Sequence, residues 1–530
     1  MNKKFQIFNS QILSLQNICL FLLLISSLIY MSNIKEVMDL TLYDEASQLK
    51  DGLNIKQNIL PSAQASPIYS LWYTFISFFI NNPIDIYYFN WHFLTIALPV
   101  CIYIFLLDFK LNPLVSFLVS IIFLYSRFNY PLWPKTNNFG LFLIIIIALM
   151  IRKTKFIKFI DKKDLYLFLF FIGSFLRPEF LISALVYFIL NIYNFKIRLT
   201  LERLIYLSLS GLFIFLFGFP FGNRLTAAFG QHFTVNFVER NKLDVVAWDS
   251  YGSIIEDIFG GGNNIIDYLF YNPQAFLSHV LFNVKRIPIS FLSYFKPYNE
   301  EPYIIAILLV CLLSVFFIII NFHRTKTLKR IFQIEKIRLA LTNPTNKLLV
   351  SLIVPFLITA SIIFPRGHYF LYLFLGLLTI IAYNLKDFIN EPFEKVSNKI
   401  KIILVLLIFS VTHINFQEKN DLYVLEISNI ISEYSKSTKK SNVNIFSGDG
   451  NYCVYVNNPC KLNPSLGNSD DYSRYIKSNK IDVIILSERL LKSYSVMNPT
   501  GPELLVKDIK ELDYIKIKSI WGTDIYVLDN

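Results

Sequence analysis

Two adjacent carboxylates, Asp44 and Glu45, open a polar stretch, Y-D-E-A-S-Q-L-K-D-G-L-N-I-K-Q-N-I-L-P-S-A-Q-A-S-P (43–67), close behind the first long apolar segment. A carboxylate placed this way can take a proton from a hydroxyl or an amine, and Asp44 is the candidate base. Farther along, Arg177-Pro178-Glu179 and Pro365-Arg366-Gly367-His368-Tyr369 supply guanidinium groups. Guanidinium binds phosphate oxygens bidentately, so Arg366, with Arg177 or His368, forms a candidate phosphate clamp. Side chains at adjacent helical positions point about 100° apart, so Asp44 and Glu45 do not share one role.

Each of these groups also has a plainer reading. Acidic residues at a helix start favour the helix dipole. Arg177 and Glu179 can satisfy each other at a membrane rim, and Arg366 and His368 can anchor an interface as Tyr and Trp do. His232, Asp249 and His279 lack the spacing of a metal site, and no metal is expected from them. Cys453 and Cys460 fit either a disulfide, in an oxidising compartment, or two buried thiols.

The chain that must position these residues has 530 amino acids, 54% of them hydrophobic, with 51 Phe and 31 Tyr. A mean hydropathy of +0.47 is more than a soluble domain can hide, which predicts an integral membrane protein. The net charge of +12 does not point to nucleic acid, because the cations sit in short loops between apolar runs. Lys3 and Lys4 precede an apolar stretch with no small-residue cleavage site, which predicts an uncleaved first helix. Cys19, Cys101 and Cys311 lie in apolar runs and read as small core residues.

Allowing about 20 apolar residues per span, and fewer for short ones, predicts a multi-span α-helical membrane protein with about eleven transmembrane helices. The predicted spans are 16–33, 84–107, 112–126, 138–151, 164–176, 179–195, 204–222, 303–320, 348–364, 369–385 and 402–416. With the N-terminus cytoplasmic, the more basic loops fall inside, including the dense run from Arg324 to Arg338. Two long loops, 34–83 and 223–302, then fall outside. Within the first, Ser66–Asn82 reads as an amphipathic helix lying in the interface. In the second, Gly260-Gly261-Gly262 lacks the Lys-Ser/Thr of a nucleotide loop and reads as a turn.

From about Gln417 the composition changes. Strands are expected at 443–446, 453–456, 481–486, 514–518 and 525–528, and helices at Asp421–Lys436, Asp470–Lys480 and Pro502–Leu512. Two domains are therefore expected: a transmembrane module over 1–416 and a soluble, extracytoplasmic α/β domain over 417–530.

The order of the polar motifs resembles the GT-C superfamily of membrane glycosyltransferases, of the protein O-mannosyltransferase and lipid A aminoarabinose transferase type. The matching residues are Asp44-Glu45, Gly52, Ser66-Pro67-Ile68-Tyr69, Arg177-Pro178-Glu179 and Pro365-Arg366-Gly367-His368-Tyr369. The layout covers about residues 1–385. The resemblance implies a GT-C-like helical module whose catalytic residues are Asp44 and Glu45. It also implies that Arg177, Glu179, Arg366, His368 and Tyr369 bind the substrate or its phosphate. The implied partners are a polyprenyl-phosphate-linked sugar, a glycan, lipid or protein acceptor, and membrane lipids. No cofactor is implied, since some relatives of this fold use a divalent cation and others do not. The implied location is the outer face of the cytoplasmic membrane. A transporter or flippase, or an O-antigen polymerase or ligase, stands as the alternative. Transporters place charged sites near the bilayer midplane and often carry internal repeats, whereas here the polar motifs gather at one surface.

Overall fold

The computed structural model describes residues 14–528 except 130–133, 154–160, 195–199, 221, 223, 246, 249, 261, 263, 297–343, 385, 395, 413–421, 441, 457–458, 464–471, 488–489, 492–500 and 521. The predicted span 303–320, the basic run 324–338, Cys311, Asp249, Lys3 and Lys4 lie outside the described residues.

Helix starts follow the local chemistry. Asn82 accepts a hydrogen bond from the Ile84 N–H at 2.9 Å, and Pro83, which has no N–H to satisfy, occupies the first turn of the Pro83–Asp108 helix. Asn112 caps Leu114 at 3.0 Å and starts Pro113–Tyr125 in the same way.

The expectation of about eleven transmembrane helices does not stand. Among the described residues only Leu15–Val37 and Pro83–Asp108 are long and apolar enough to cross a membrane. The other apolar helices are shorter: Pro113–Tyr125, Thr136–Arg152, Glu179–Asn191, Asn346–Ile362 and Gly367–Ala382. At about 1.5 Å per residue, the 13-residue Pro113–Tyr125 helix rises about 20 Å, against a hydrocarbon core of about 30 Å. The apolar letters that suggested spans also serve helix-on-helix packing. Phe105, Phe123, Phe180, Phe356 and Tyr372, from five helices, bury one another in a shared core. The inside and outside assignment of successive loops was built on that span count. The GT-C-like fold class goes uncorroborated for the same reason.

The segment 223–302, expected as a loop, is largely helical: Arg224–Asn241, Tyr251–Phe259, Ile265–Tyr271 and Pro273–Ser293. These helices surround a core of Phe229, Phe233, Phe259 and Phe276. Gly260 closes the second of them at φ 64°, a left-handed position that suits glycine.

The C-terminal region carries a five-stranded mixed sheet of order β2-β1-β3-β5-β4: β1 (Val443–Ser447), β2 (Cys460–Asn463), β3 (Val483–Leu486), β4 (Tyr514–Ile520) and β5 (Thr523–Leu528). β1 runs parallel to β2 and β3, and β5 is antiparallel to β3 and β4. The expected strand at 453–456 is instead a single helical turn, Tyr452–Val454, entered from Asn451 at φ 70°. A disulfide joins Cys453 to Cys460, the first residue of β2. The apolar alternation of C-V-Y-V is satisfied by packing against another part of the chain. Val454 and Tyr455 share one core with Leu40, Leu42, Tyr87 and Trp91.

Candidate active site

The Asp44–Ile55 helix is held from both ends. Its lead-in is extended and gripped by the C-terminal region. The Asp39 carboxylate accepts the backbone N–H groups of Val424 and Leu425 at 2.6 and 2.9 Å, capping the Tyr423–Ser437 helix from a distant part of the chain. Tyr455 donates its hydroxyl to the Thr41 carbonyl at 2.6 Å. The Asn451 amide reaches the Leu42 carbonyl at 2.8 Å and the Ser47 hydroxyl at 3.0 Å. At its far end the helix crosses Pro67–Ser77 so closely that a Cβ at Gly52 would lie 2.6 Å from the Tyr73 Cβ, and only glycine fits. Thr74 seals the crossing by donating to the Gly52 carbonyl at 2.8 Å.

That crossing decides where the two carboxylates point. Asp44 is exposed at the first helical position, while Glu45 is 1% exposed and turned into the protein. Glu45 Oε1 accepts the Tyr69 hydroxyl at 2.6 Å, the Tyr73 hydroxyl, and the Asn90 amide at 3.4 Å. Asn90 also donates to both tyrosine oxygens, at 2.7 and 2.8 Å, and accepts from the Trp72 indole at 2.8 Å. Burial pushes the Glu45 carboxyl up to about 8, against the stabilising hydrogen bonds of Tyr69 and Tyr73. Sequence reasoning paired Glu45 with Asp44 as catalytic, but it stands behind the open face, in a cage of side chains.

In front of Asp44 the chain assembles cations from four separate segments. Lys135, Arg224 and Arg366 all lie within electrostatic range of the Asp44 carboxylate. Arg177 forms a forked pair with Glu179, at 2.8 and 3.2 Å, and lies 5.6 Å over the Tyr369 ring. Burial opposes the Arg177 charge, yet Glu179 outweighs it and holds the guanidinium above its ordinary value. Arg224 is pushed down by burial and then by Arg177, the mark of like charges crowded together. It donates to the Gln64 carbonyl.

Arg366 rests against aromatic faces, 5.6 Å from the Trp248 ring and 6.0 Å from Phe364. His232 stacks on Phe364 at 5.2 Å and meets the edge of Trp248 at 5.4 Å. Its buried Nδ1 has no hydrogen-bond partner among the described residues. Burial, followed by Arg366, pushes His232 down to about 3, so this ring is neutral. His368 packs its ring on Tyr369 at 4.2 Å. Neither Arg224 nor Arg366 has a carboxylate within ion-pair distance among the described residues.

The structure thus gathers Asp44, Arg177, Glu179, Arg366, His368 and Tyr369 around one surface and sets Glu45 behind it. His279 lies elsewhere, beside Asn236 and Asn283. Among the described residues no three His, Cys, Asp or Glu side chains cluster as metal ligands would. Sequence reasoning missed Lys135, Arg224 and Trp248. Each stands outside any motif, and only the fold brings Lys135 and Arg224 within range of Asp44 and Trp248 against Arg366. Such a constellation offers an exposed carboxylate facing guanidinium groups, walled by aromatic rings. It can hold an anion while the carboxylate accepts a proton.

No known family model matches this chain, and no curated protein is similar to it.

Proposed function

We propose that the chain is a membrane-bound glycosyltransferase that moves a sugar from a polyprenyl-phosphate donor to a hydroxyl or amine of a cell-envelope acceptor. The observation that carries the reading is the pair of guanidinium groups, Arg224 and Arg366, within electrostatic range of the exposed Asp44 and with no carboxylate at ion-pair distance among the described residues. Buried or half-buried arginines without a counter-charge are costly unless an anion completes them. A donor phosphate supplies that anion, and guanidinium binds it in a fork.

In the reaction the bond between the sugar's anomeric carbon and the phosphate oxygen breaks, and its electron pair leaves with the phosphate. Arg366 and Arg224 stabilise that growing charge. Asp44 takes the acceptor's proton as the acceptor oxygen or nitrogen bonds to the anomeric carbon. Glu179 holds Arg177 in place beside Tyr369. Two long apolar helices, Leu15–Val37 and Pro83–Asp108, are long enough to anchor the enzyme at a bilayer, where a polyprenyl donor keeps its chain. The location we propose is the outer face of a cytoplasmic membrane. The order of the polar motifs, with its resemblance to GT-C enzymes, also favours this reading.

The test is transfer from a radiolabelled polyprenyl-phosphate sugar by the purified full chain in detergent. Asp44→Asn is expected to lower turnover at least about 100-fold at unchanged donor binding. Arg366→Gln is expected to weaken donor binding and turnover together. Full turnover by Asp44→Asn, or donor binding unaffected by Arg366→Gln, sinks the proposal.

A further inference from the structure

The helix Pro273–Ser293 buries polar groups and exposes a hydrocarbon stripe. Beside Phe276, the side it buries against the protein carries two polar groups. His279 Nε2 lies 3.1 and 3.2 Å from the carbonyls of Ile362 and Ile363. Asn283 donates to the Ser361 carbonyl at 3.0 Å and accepts the Asn236 amide at 2.8 Å. The side it exposes is hydrocarbon. Leu277, Leu281, Val284, Ile289 and Leu292 are 52%, 59%, 45%, 75% and 65% exposed, one stripe along 21 residues. In water a helix places its apolar stripe toward the core, and exposed stripes of this size mark an interaction surface.

Charge says what the surface meets. A cavity of about 580 Å³ opens on this face, with Leu277, Leu281 and Phe282 as its apolar lining and Arg240 and Lys285 as its cations. Arg240 donates to the Ser278 hydroxyl at 3.0 Å and lies 5.3 Å from the Phe282 ring. Arg286, beside it, is already paired with Glu239 at 3.0 Å. Among the described residues, neither Arg240 nor Lys285 has a carboxylate within ion-pair distance. Two cations over a hydrocarbon floor match an anionic headgroup attached to a hydrocarbon chain. Polar residues near a bilayer keep their cations at the interface while their stems follow the apolar surface.

We propose that the Pro273–Ser293 helix lies against a lipid bilayer, and that Arg240 and Lys285 bind the headgroup of an anionic lipid there. Arg224 and Arg240 lie 16 residues apart on one helix, about 24 Å, so this is a different place from the Asp44 site. The proposal does not depend on sugar transfer.

The experiment uses the full chain with Leu281→Cys carrying a bimane label and Cys311 replaced, in nanodiscs of phosphatidylcholine or of phosphatidylglycerol. A labelled Lys439→Cys, on the turn after the Tyr423–Ser437 helix, is the control. Bimane at 281 is expected to be quenched by doxyl-labelled lipid and shielded from aqueous iodide, with the control behaving oppositely. Quenching by doxyl-phosphatidylglycerol is expected to exceed that by doxyl-phosphatidylcholine severalfold. Arg240→Gln with Lys285→Gln is expected to erase that preference without changing the melting temperature. Iodide quenching at 281 overturns the bilayer contact. Lipid quenching with no headgroup preference, or a preference that survives the double substitution, overturns the headgroup site.

Discussion

The helices Asp44–Ile55 and Pro273–Ser293 both bury polar side chains, yet they present opposite faces to their surroundings. The first buries an acid in a cage of Tyr69, Tyr73 and Asn90 and exposes a carboxylate. The second buries His279 and Asn283 against main-chain carbonyls and exposes leucine and isoleucine. In each case the buried polar group fixes the rotation of its helix, because it has partners at only one angle. The exposed face then reports the environment: a charged, wet site in front of Asp44 and an oily one along Leu277 to Leu292. Breaking the buried contacts should therefore blur that contrast.

The largest effect is expected at Glu45. Glu45→Ala leaves two tyrosine hydroxyls and an amide without their acceptor and opens a void, a combined cost of about 3 kcal/mol. Glu45→Gln keeps the shape and an accepting oxygen but removes the ionisation. The folded protein holds the Glu45 proton up to about 8, whereas the unfolded chain releases it near its ordinary value of 4.5. The unfolded state thus binds fewer protons between those limits, so wild-type stability falls as pH rises from about 4.5 to about 8 and is flat beyond. Glu45→Gln is expected to lack that slope. Melting temperatures at pH 5 and pH 8 check it, and parallel pH profiles for the two proteins would remove Glu45 as the titrating group.

The same comparison shows what the sequence could and could not reveal. The polar motifs around Asp44, the C-terminal sheet strands at 443–446, 481–486, 514–518 and 525–528, and the tail helices carry local signals: turn residues, alternation and caps. The span count failed because hydropathy counts apolar letters and cannot tell a lipid-facing helix from a 13-residue helix packed on its neighbours. Which way Glu45 turns was hidden for the complementary reason: adjacency in the chain says nothing about the crossing at Gly52, where a Cβ would lie 2.6 Å from the Tyr73 Cβ. Lys135 and Arg224 come within range of Asp44, and Trp248 lies against Arg366, only because distant segments converge, and a single sequence carries no signal for that. Cys453 and Cys460 could be weighed only as an even choice, which the fold resolved as a disulfide.

A smaller effect is expected where the C-terminal region grips the lead-in to Asp44. Asp39→Ala removes a side-chain cap from the Tyr423–Ser437 helix and, with Asn451→Ala, the bridge to Leu42 and Ser47. Each should cost about 1 kcal/mol. Hydrogen exchange at residues 40–47 is expected to quicken in both variants, while Glu45→Gln leaves it unchanged. Unaltered exchange in both would mean the C-terminal region rests on this segment without holding it.

The finest distinction lies in the front of the site itself. Burial, then Arg366, pushes Lys135 down to about 8, while Glu45 and Asp44 pull the other way. A lysine lowered this far is charged below about pH 8 and neutral above it, so the site loses a positive charge as pH rises through that value. The affinity for an oxyanion of fixed charge, such as sulfate, should fall severalfold over this interval in wild type. Glu45 titrates in the same range and would contribute a negative charge, so the measurement belongs in the Glu45→Gln background. There Lys135→Gln is expected to give a flat profile at low affinity, and Lys135→Arg a flat profile at high affinity, because arginine stays charged. Isothermal titration with sulfate, an oxyanion that keeps its own charge between pH 6.5 and 9.5, reads both. A pH dependence that survives in Lys135→Arg would assign the titration to another group and remove Lys135 from the anion site.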